Sequence, residues 1–104
     1  MDKRYSEMSD TELIEEIARL KIKAQKAEQM GMINEVAVHE RKMAMAEAYR
    51  MDPGAFKTGE VYEIKFSDGS PFKIAYLNGV FAWGYHDGSK ELVAYPISLL
   101  VERG

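Results

Sequence analysis

Apolar positions in the first half of the chain recur with the period of an α-helix. They form one narrow stripe at spacings of four and three: Leu13, Ile17, Leu20, Ala24 and Ala27. Ser9 and Glu12 stand before the stripe at the spacing of a capping box, in which each side chain bonds the other residue's backbone N–H. Gly31 follows as a suitable stop. The pattern predicts a first helix from Ser9 to about Gly31.

A second apolar stretch begins near Ile33 or Asn34 and runs to about Met51, where Asp52-Pro53 ends it. Because the link is so short, the two helices should form an antiparallel hairpin. Small residues are expected where the helices approach each other: Ala24 and Ala27 against Ala37, Ala44 and Ala48. The second helix is apolar on more than one face. We therefore expect a second cover for it, supplied by the C-terminal half of the chain.

From Gly59 the apolar period falls to two, which predicts strands. Five short strands are expected, at 61–66, 72–77, 80–85, 92–95 and 99–101, and the first should place Tyr62, Ile64 and Phe66 on one face. Turn residues separate them: Ser67-Asp68-Gly69-Ser70, Asn78-Gly79, Asp87-Gly88 and Pro96-Ile97-Ser98. The predicted fold is α+β: an N-terminal antiparallel helical hairpin (1–53) packed on a C-terminal five-stranded SH3-like β-barrel (54–104), as one cooperative domain.

The segment YLNGVFAWGYHDG (76–88) is the most aromatic part of the chain. A two-residue Asn78-Gly79 turn would pair Tyr76 with Phe81 and Ile74 with Trp83. One face of that hairpin would then be Phe72, Ile74, Tyr76, Phe81, Trp83 and Tyr85. The opposite face carries Lys73, so we expect the aromatic face to point inward, with Tyr85 and His86 reaching solvent at its end.

Composition and charge restrict the function. The 46% hydrophobic and 30% charged content is typical of a globular domain, and the absence of cysteine excludes disulfides, thiolate catalysis and cysteine-based metal sites. No secretory signal or run of about 18 apolar residues is present, so we expect a cytoplasmic protein without a membrane partner. A net charge of −3 disfavours nucleic acid as a partner, although a local basic patch stays open.

Catalytic motifs are absent from the sequence. His39-Glu40 begins like a zinc-protease helix, but Met43 stands where the second histidine is required. The only other histidine is His86, and no serine has the context of a nucleophile. We therefore predict no catalytic residue, no metal ligand and no cofactor, and no enzyme activity.

Binding is the better hypothesis, and the candidate residues are Trp83, Tyr85, His86 and Lys73. Three interpretations stay open for the aromatic residues: a contact for a protein, a platform for nucleic-acid bases, or part of the core. Ile22, Met30 and Met32 offer a second contact, for a partner or for self-association. A non-enzymatic binding or adaptor module with a protein partner is preferred, with a nucleic-acid-binding small barrel as the alternative.

Four segments also carry a family resemblance: KRYSEMS, KAEQMGMINEVAVHERKMAMAEAY, YLNGVFAWGY and PISLL. Together they resemble the YfhH-like family of small uncharacterised proteins from Gram-positive bacteria, over nearly the whole chain. The resemblance implies a helical hairpin followed by an SH3-like barrel. It implies no substrate, cofactor or catalytic residue.

Overall fold

The computed structural model describes residues 3–67 and 69–102, which fall into two compact units, Met1–Arg50 and Met51–Gly104. The first unit contains a 3-10 turn (Tyr5–Glu7) and two α-helices, α1 (Asp10–Gln29) and α2 (Ile33–Ala48). The second contains the strands and two further 3-10 turns. Asp68, predicted to lie in a turn, is outside the described residues.

Local signals set both ends of α1. Ser9 Oγ accepts a hydrogen bond from the Glu12 N–H at 3.2 Å, and the Ser9 N–H donates to Glu12 Oε1 at 3.1 Å, which confirms the capping box. At the other end Gly31 has φ 72°, and the Met32 N–H bonds the Ala27 carbonyl at 2.8 Å. The Gly31 N–H bonds the Glu28 carbonyl as well, completing a Schellman motif that stops the helix at the predicted glycine.

The antiparallel helical hairpin is confirmed. The side chain of Arg50, just beyond α2, bonds Asp10 at the start of α1, with Nε 2.6 Å from Oδ1. Beside them the rings of Tyr5 and Tyr49 meet edge to face, with centroids 6.5 Å apart. The Tyr5 hydroxyl donates to Glu16 Oε2 at 3.2 Å, and burial, reinforced by that carboxylate, raises the pKa of Tyr5.

One alanine of the predicted α2 stripe is misplaced. Ala44 and Ala48 are buried as expected, but Ala37 is exposed, and Ala46 is fully buried instead. Ala44 and Ala46 lie about 200° apart around the helix, so α2 is buried on two sides near its C-terminal end. This agrees with its apolar character on more than one face. The predicted packing of the hairpin on the strands stays a prediction.

Five strands form one antiparallel sheet in the order β4-β3-β2-β1-β5. Their bounds are β1 (Val61–Ile64), β2 (Phe72–Asn78), β3 (Phe81–His86), β4 (Val93–Pro96) and β5 (Leu100–Glu102), and the further 3-10 turns are Pro53–Ala55 and Ile97–Leu99. The α+β class and the five strands are therefore confirmed. No pairing joins β4 to β5 in the described ranges, so the sheet is open there and a closed SH3-like barrel is not confirmed.

The first strand ends earlier than the alternation predicts. After Ile64 the chain turns, and the Ser67 N–H donates to the Ile64 carbonyl at 3.3 Å. Phe66 lies in this turn with φ 63° and is 94% exposed, so the prediction that it shares one face of the strand with Tyr62 and Ile64 was wrong. Its ring contributes nothing to the core.

One face of the sheet forms the core of the second unit. Its buried residues are Tyr62, Ile64, Phe72, Ile74, Ala82, Gly84 and Leu100, joined by Val80 and Ile97 from the turns. The ring of Phe56, which follows the Pro53–Ala55 turn, packs on Tyr62 with centroids 5.6 Å apart. The β2 residues of this core are Phe72 and Ile74, and both side chains are almost inaccessible to solvent.

The β2–β3 hairpin has a different register from the predicted one. Asn78 pairs with Phe81, so the two turn residues are Gly79 and Val80 instead of Asn78 and Gly79. Only Gly79 has a positive φ (59°), as expected for a type II′ turn with glycine first. Val80 is buried, and its carbonyl accepts a hydrogen bond from the Ile97 N–H at 2.9 Å. This contact draws the turn toward the core.

Candidate functional site

The aromatic side chains of β3 point away from the core. Phe81 and Trp83 are half-buried and Tyr85 is 40% exposed, whereas Ala82 and Gly84 between them are buried. The prediction that Phe81 and Trp83 face inward was therefore wrong, whereas Tyr85 reaches solvent as predicted. With Tyr76 of β2 these residues form what we call the aromatic face: Tyr76, Phe81, Trp83 and Tyr85.

Close packing beneath β3 explains this orientation. A Cβ added to Gly84 would collide with the Lys73 carbonyl oxygen and would lie 3.0 Å from Cζ of Phe72. Ala82, two residues away, is completely inaccessible. The inner side of β3 therefore admits only small residues at positions 82 and 84, and because strand side chains alternate, the rings of Phe81, Trp83 and Tyr85 must occupy the other side.

Tyr76 and Trp83 form the centre of the aromatic face. They are directly opposed across β2 and β3, and their rings stack with centroids 5.9 Å apart and planes 7° apart. The register shifts between Ile74 and Tyr76, as in a β-bulge, and this shift places Tyr76 on the same side as Trp83. Tyr76 stays 43% exposed. Trp83 is the only tryptophan of the chain.

A small cleft lies at the end of the aromatic face. It encloses about 230 Å³ and is lined by Val61, Pro71, Lys73, Tyr85, His86, Asp87 and Gly88. Lys73 of β2 pairs directly with Tyr85 of β3, so these two side chains leave the sheet on the same side. Three of the four residues predicted to bind a partner thus line one cleft. Trp83 lies two residues along β3, on the same face.

His86 has a largely structural environment. Its Nε2 is 2.7 Å from the Tyr95 hydroxyl and its Nδ1 is 3.3 Å from the Ser70 carbonyl oxygen. The ring also packs against Phe72, with centroids 5.4 Å apart. With both nitrogens hydrogen-bonded, the His86 ring is held in place where it lines the cleft.

Among residues 3–67 and 69–102, no group of three or more His, Asp or Glu side chains is arranged to hold a metal ion. In the same ranges no helix combines the length and apolar character needed to cross a bilayer. Charge at the cleft is mixed, because Lys73 and Asp87 both line it.

Tyr76 was missed as a site residue, although the prediction placed it on the same face as Trp83 and paired it with Phe81. The useful signal was the residue after Gly79. Gly79-Val80 fits a type II′ turn, because only the first central residue of that turn needs a positive φ. Shifting the turn by one residue places Tyr76 nearer Trp83.

Comparisons with known proteins identify relatives over nearly the whole chain. The model of a family described as "Protein of unknown function (DUF1811)" matches residues 3–101. The "Uncharacterized protein YfhH" of Bacillus subtilis (strain 168) is 52% identical over 104 residues, covering 99% of each chain. These matches confirm the family resemblance predicted from the four segments. Neither description names an activity or a ligand.

Proposed function

The chain belongs to the family of proteins of unknown function DUF1811, and from the geometry of its sheet we propose that it is a non-enzymatic, cytoplasmic binding module. In this proposal the aromatic face contacts a protein partner. Lys73 and the cleft beside Tyr85 extend the contact at one end. The half-exposed stack of Tyr76 on Trp83 is the observation on which the proposal depends.

The stack suits a protein interface for two physical reasons. Tyrosine and tryptophan are enriched among the residues that dominate protein–protein binding energy, because they bury large areas with few rotatable bonds. Here the two rings are also held by strand pairing and by each other. Binding would therefore immobilise little that is not already ordered, which lowers its entropic cost.

Nucleic acid receives less support from the same geometry. A base stacks on a free ring face, and one face each of Tyr76 and Trp83 is taken by the other. Lys73 is the only cation lining the cleft, and Asp87 lies in the same lining. A groove that follows a phosphate backbone needs several cations.

Two further parts of the proposal have separate support. The proposed lack of enzyme activity draws on the sequence, in which no catalytic motif is present. An SH3-like curvature of the sheet draws on the return of the last strand, β5, to pair with the first, β1.

The test is affinity capture from native lysate with and without nuclease, using the wild-type chain and the variants Trp83→Ala and Tyr85→Ala. Phe66→Ala is the matched control, since it removes an exposed ring that lies outside the aromatic face. We expect a captured protein whose capture persists after nuclease treatment. The Phe66→Ala variant should still capture it, and the Trp83→Ala variant should not. Thermal melts of each variant confirm that the fold is retained.

Trp83 also reports on binding directly, because its fluorescence is the only indole signal of the chain. Titration with the captured protein should change the emission if the aromatic face is covered. Capture that disappears with nuclease would favour nucleic acid instead. Capture unaffected by Trp83→Ala would remove the aromatic face from consideration.

A further inference from the structure

A second recognition feature lies at the bend of the helical hairpin, wholly within the first unit. A groove of about 430 Å³ runs between α1 and α2 there. Its lining consists of Lys23, Lys26, Ala27 and Met30 from the α1 side and Met32, Glu35, Val38 and His39 from the α2 side. We call this feature the bend groove.

Large apolar side chains are unusually exposed around the bend groove. Met30 is 73% exposed and the adjoining Ile33 is 79% exposed, and Met32 and Val38 are also open to solvent. Single exposed apolar residues are ordinary, but a contiguous group around a groove is typical of an interaction site. Methionine is well suited to fill such a groove because its side chain is flexible and polarisable.

The two walls of the bend groove carry opposite charge. Lys23 and Lys26 stand on the α1 wall, and Glu35 stands on the α2 wall. Within residues 3–67 and 69–102 none of these three side chains forms an ion pair. By contrast Arg19, one turn before Lys23, is already paired with Glu16 at 2.6 Å.

We propose that the bend groove is a self-association site, occupied by the bend groove of a second copy of this chain. In a two-fold dimer the same patch meets itself, so residue i contacts residue j and j contacts i. A two-fold axis parallel to the helices places the α1 wall of each copy over the α2 wall of the other. Lys23 and Lys26 of one copy then face Glu35 of its partner, twice.

Charge complementarity favours a second copy over an unrelated partner. An acidic segment laid in the bend groove would face Glu35, and a basic one would face Lys23 and Lys26. The two-fold copy satisfies both walls at once, while Met30 and Met32 of each chain fill the space between the helices. The two charged contacts fix the orientation of the partner, and the apolar residues supply most of the affinity.

His39 adds an unsatisfied position to the same groove. Its Nδ1 is buried and has no hydrogen-bond partner in the described part of the chain. Buried polar atoms in folded proteins are nearly always paired, so this orphan leaves one hydrogen-bonding capacity unused in a residue of the groove lining.

The size of the bend groove sets the expected strength of the dimer. From Lys23 to Met30 the helix rises about 10 Å, so the area buried in the dimer falls at the small end of the range for specific protein–protein interfaces. We therefore expect a weak dimer, with a dissociation constant on the order of 10–100 µM. Sedimentation equilibrium between about 10 µM and 1 mM covers this range.

Charge reversal provides the test. Lys26→Glu and Glu35→Lys should each weaken the dimer by about tenfold or more, since each turns two attractive contacts into repulsive ones. Mixing the two variants restores both attractive contacts in a heterodimer, so association should return in the mixture. Lys21→Glu is the matched control, because this exposed lysine of α1 does not line the groove.

A wild-type chain that stays monomeric to 1 mM would overturn the proposal. So would a dimer that neither charge reversal weakens, or a mixture of the two variants that associates no better than each variant alone. Helical circular dichroism checks that the variants fold, and Met30→Gln should weaken the dimer without changing charge. These residues lie outside the aromatic face, so the outcome is distinguishable from that of the Trp83→Ala capture experiment.

Discussion

Replacing Gly84 by alanine should destabilise the protein far more than its single added methyl group suggests. The new Cβ would collide with the Lys73 carbonyl oxygen, would lie 2.9 Å from the Lys73 carbonyl carbon and would lie 3.0 Å from Cζ of Phe72. Two of these three atoms belong to the backbone of β2 and cannot move alone. Relief of the clash therefore requires the strands to separate where Ile74 pairs with Gly84.

The expected loss follows from what such a separation disturbs. Overpacking a well-filled core typically costs about 1–3 kcal/mol, and a clash with a paired backbone belongs at the upper end. Phe72 is fully buried and would have to shift as well. We expect a loss of about 3 kcal/mol, which for a chain of this size corresponds to a melting temperature lower by about 12–20 °C.

Urea unfolding and differential scanning calorimetry measure this loss, and Gly59→Ala is the control. Gly59 has φ 86° but no atom within 4 Å of its added Cβ, so alanine there introduces backbone strain without a clash, at a cost of about 1–2 kcal/mol. The close-packing explanation is refuted if Gly84→Ala loses no more stability than Gly59→Ala. In that case the aromatic residues would need another reason for facing outward.

Two further predictions concern Phe66 and Glu12. Because Phe66 has φ 63° and an almost fully exposed ring, Phe66→Gly should be more stable than Phe66→Ala by about 1 kcal/mol, as measured by urea unfolding. A glycine variant no more stable than the alanine variant would contradict backbone strain at this turn. The hydrogen bond from the Ser9 N–H, helped by Lys3, holds the pKa of Glu12 below its usual range. The Glu12 carboxylate therefore stabilises the fold at pH values above its usual pKa, and this contribution is lost as the pH falls through the lowered pKa. Glu12→Gln should therefore be less stable than wild type at pH 7 but not at pH 3, with Glu63→Gln as the control. A stability difference between Glu12→Gln and wild type that does not change with pH would contradict this assignment.

The helices could be predicted from the sequence because their determinants are local. The capping box joins residues three apart, and the Schellman motif around Gly31 joins residues within five positions. The placement of Ala37 was the exception. Whether one turn of α2 is covered depends on which other parts of the chain lie over it, and a periodic pattern does not contain that information.

The hairpin register depends on contacts between distant residues, so the turn sequence alone could not fix it. Asn-Gly is a strong signal for a two-residue type I′ turn, yet the structure uses Gly79 and Val80. The Ile97 N–H bonds the Val80 carbonyl, and this contact spans 17 positions of sequence. Moving the turn by one residue keeps Tyr76 on the side of Phe81 and Trp83, and it is the register shift between Ile74 and Tyr76 that places Lys73 with Tyr85 and turns Phe72 and Ile74 to the other face.

On β3, side-chain volume and not charge separates the buried face from the exposed one. The sequence predicts that Lys73 marks the solvent side and the aromatic rings the core, on the assumption that they lie on opposite faces. The structure pairs Lys73 with Tyr85, so the lysine and the aromatic rings leave the sheet on the same side. Alternation then assigns Ala82 and Gly84 to the inner side, where the close approach of Lys73 and Phe72 leaves no room for a larger residue. When both faces of a hairpin are apolar, the face with the smallest residues is therefore the better candidate for the closest packing, and the large rings opposite it are available for a partner.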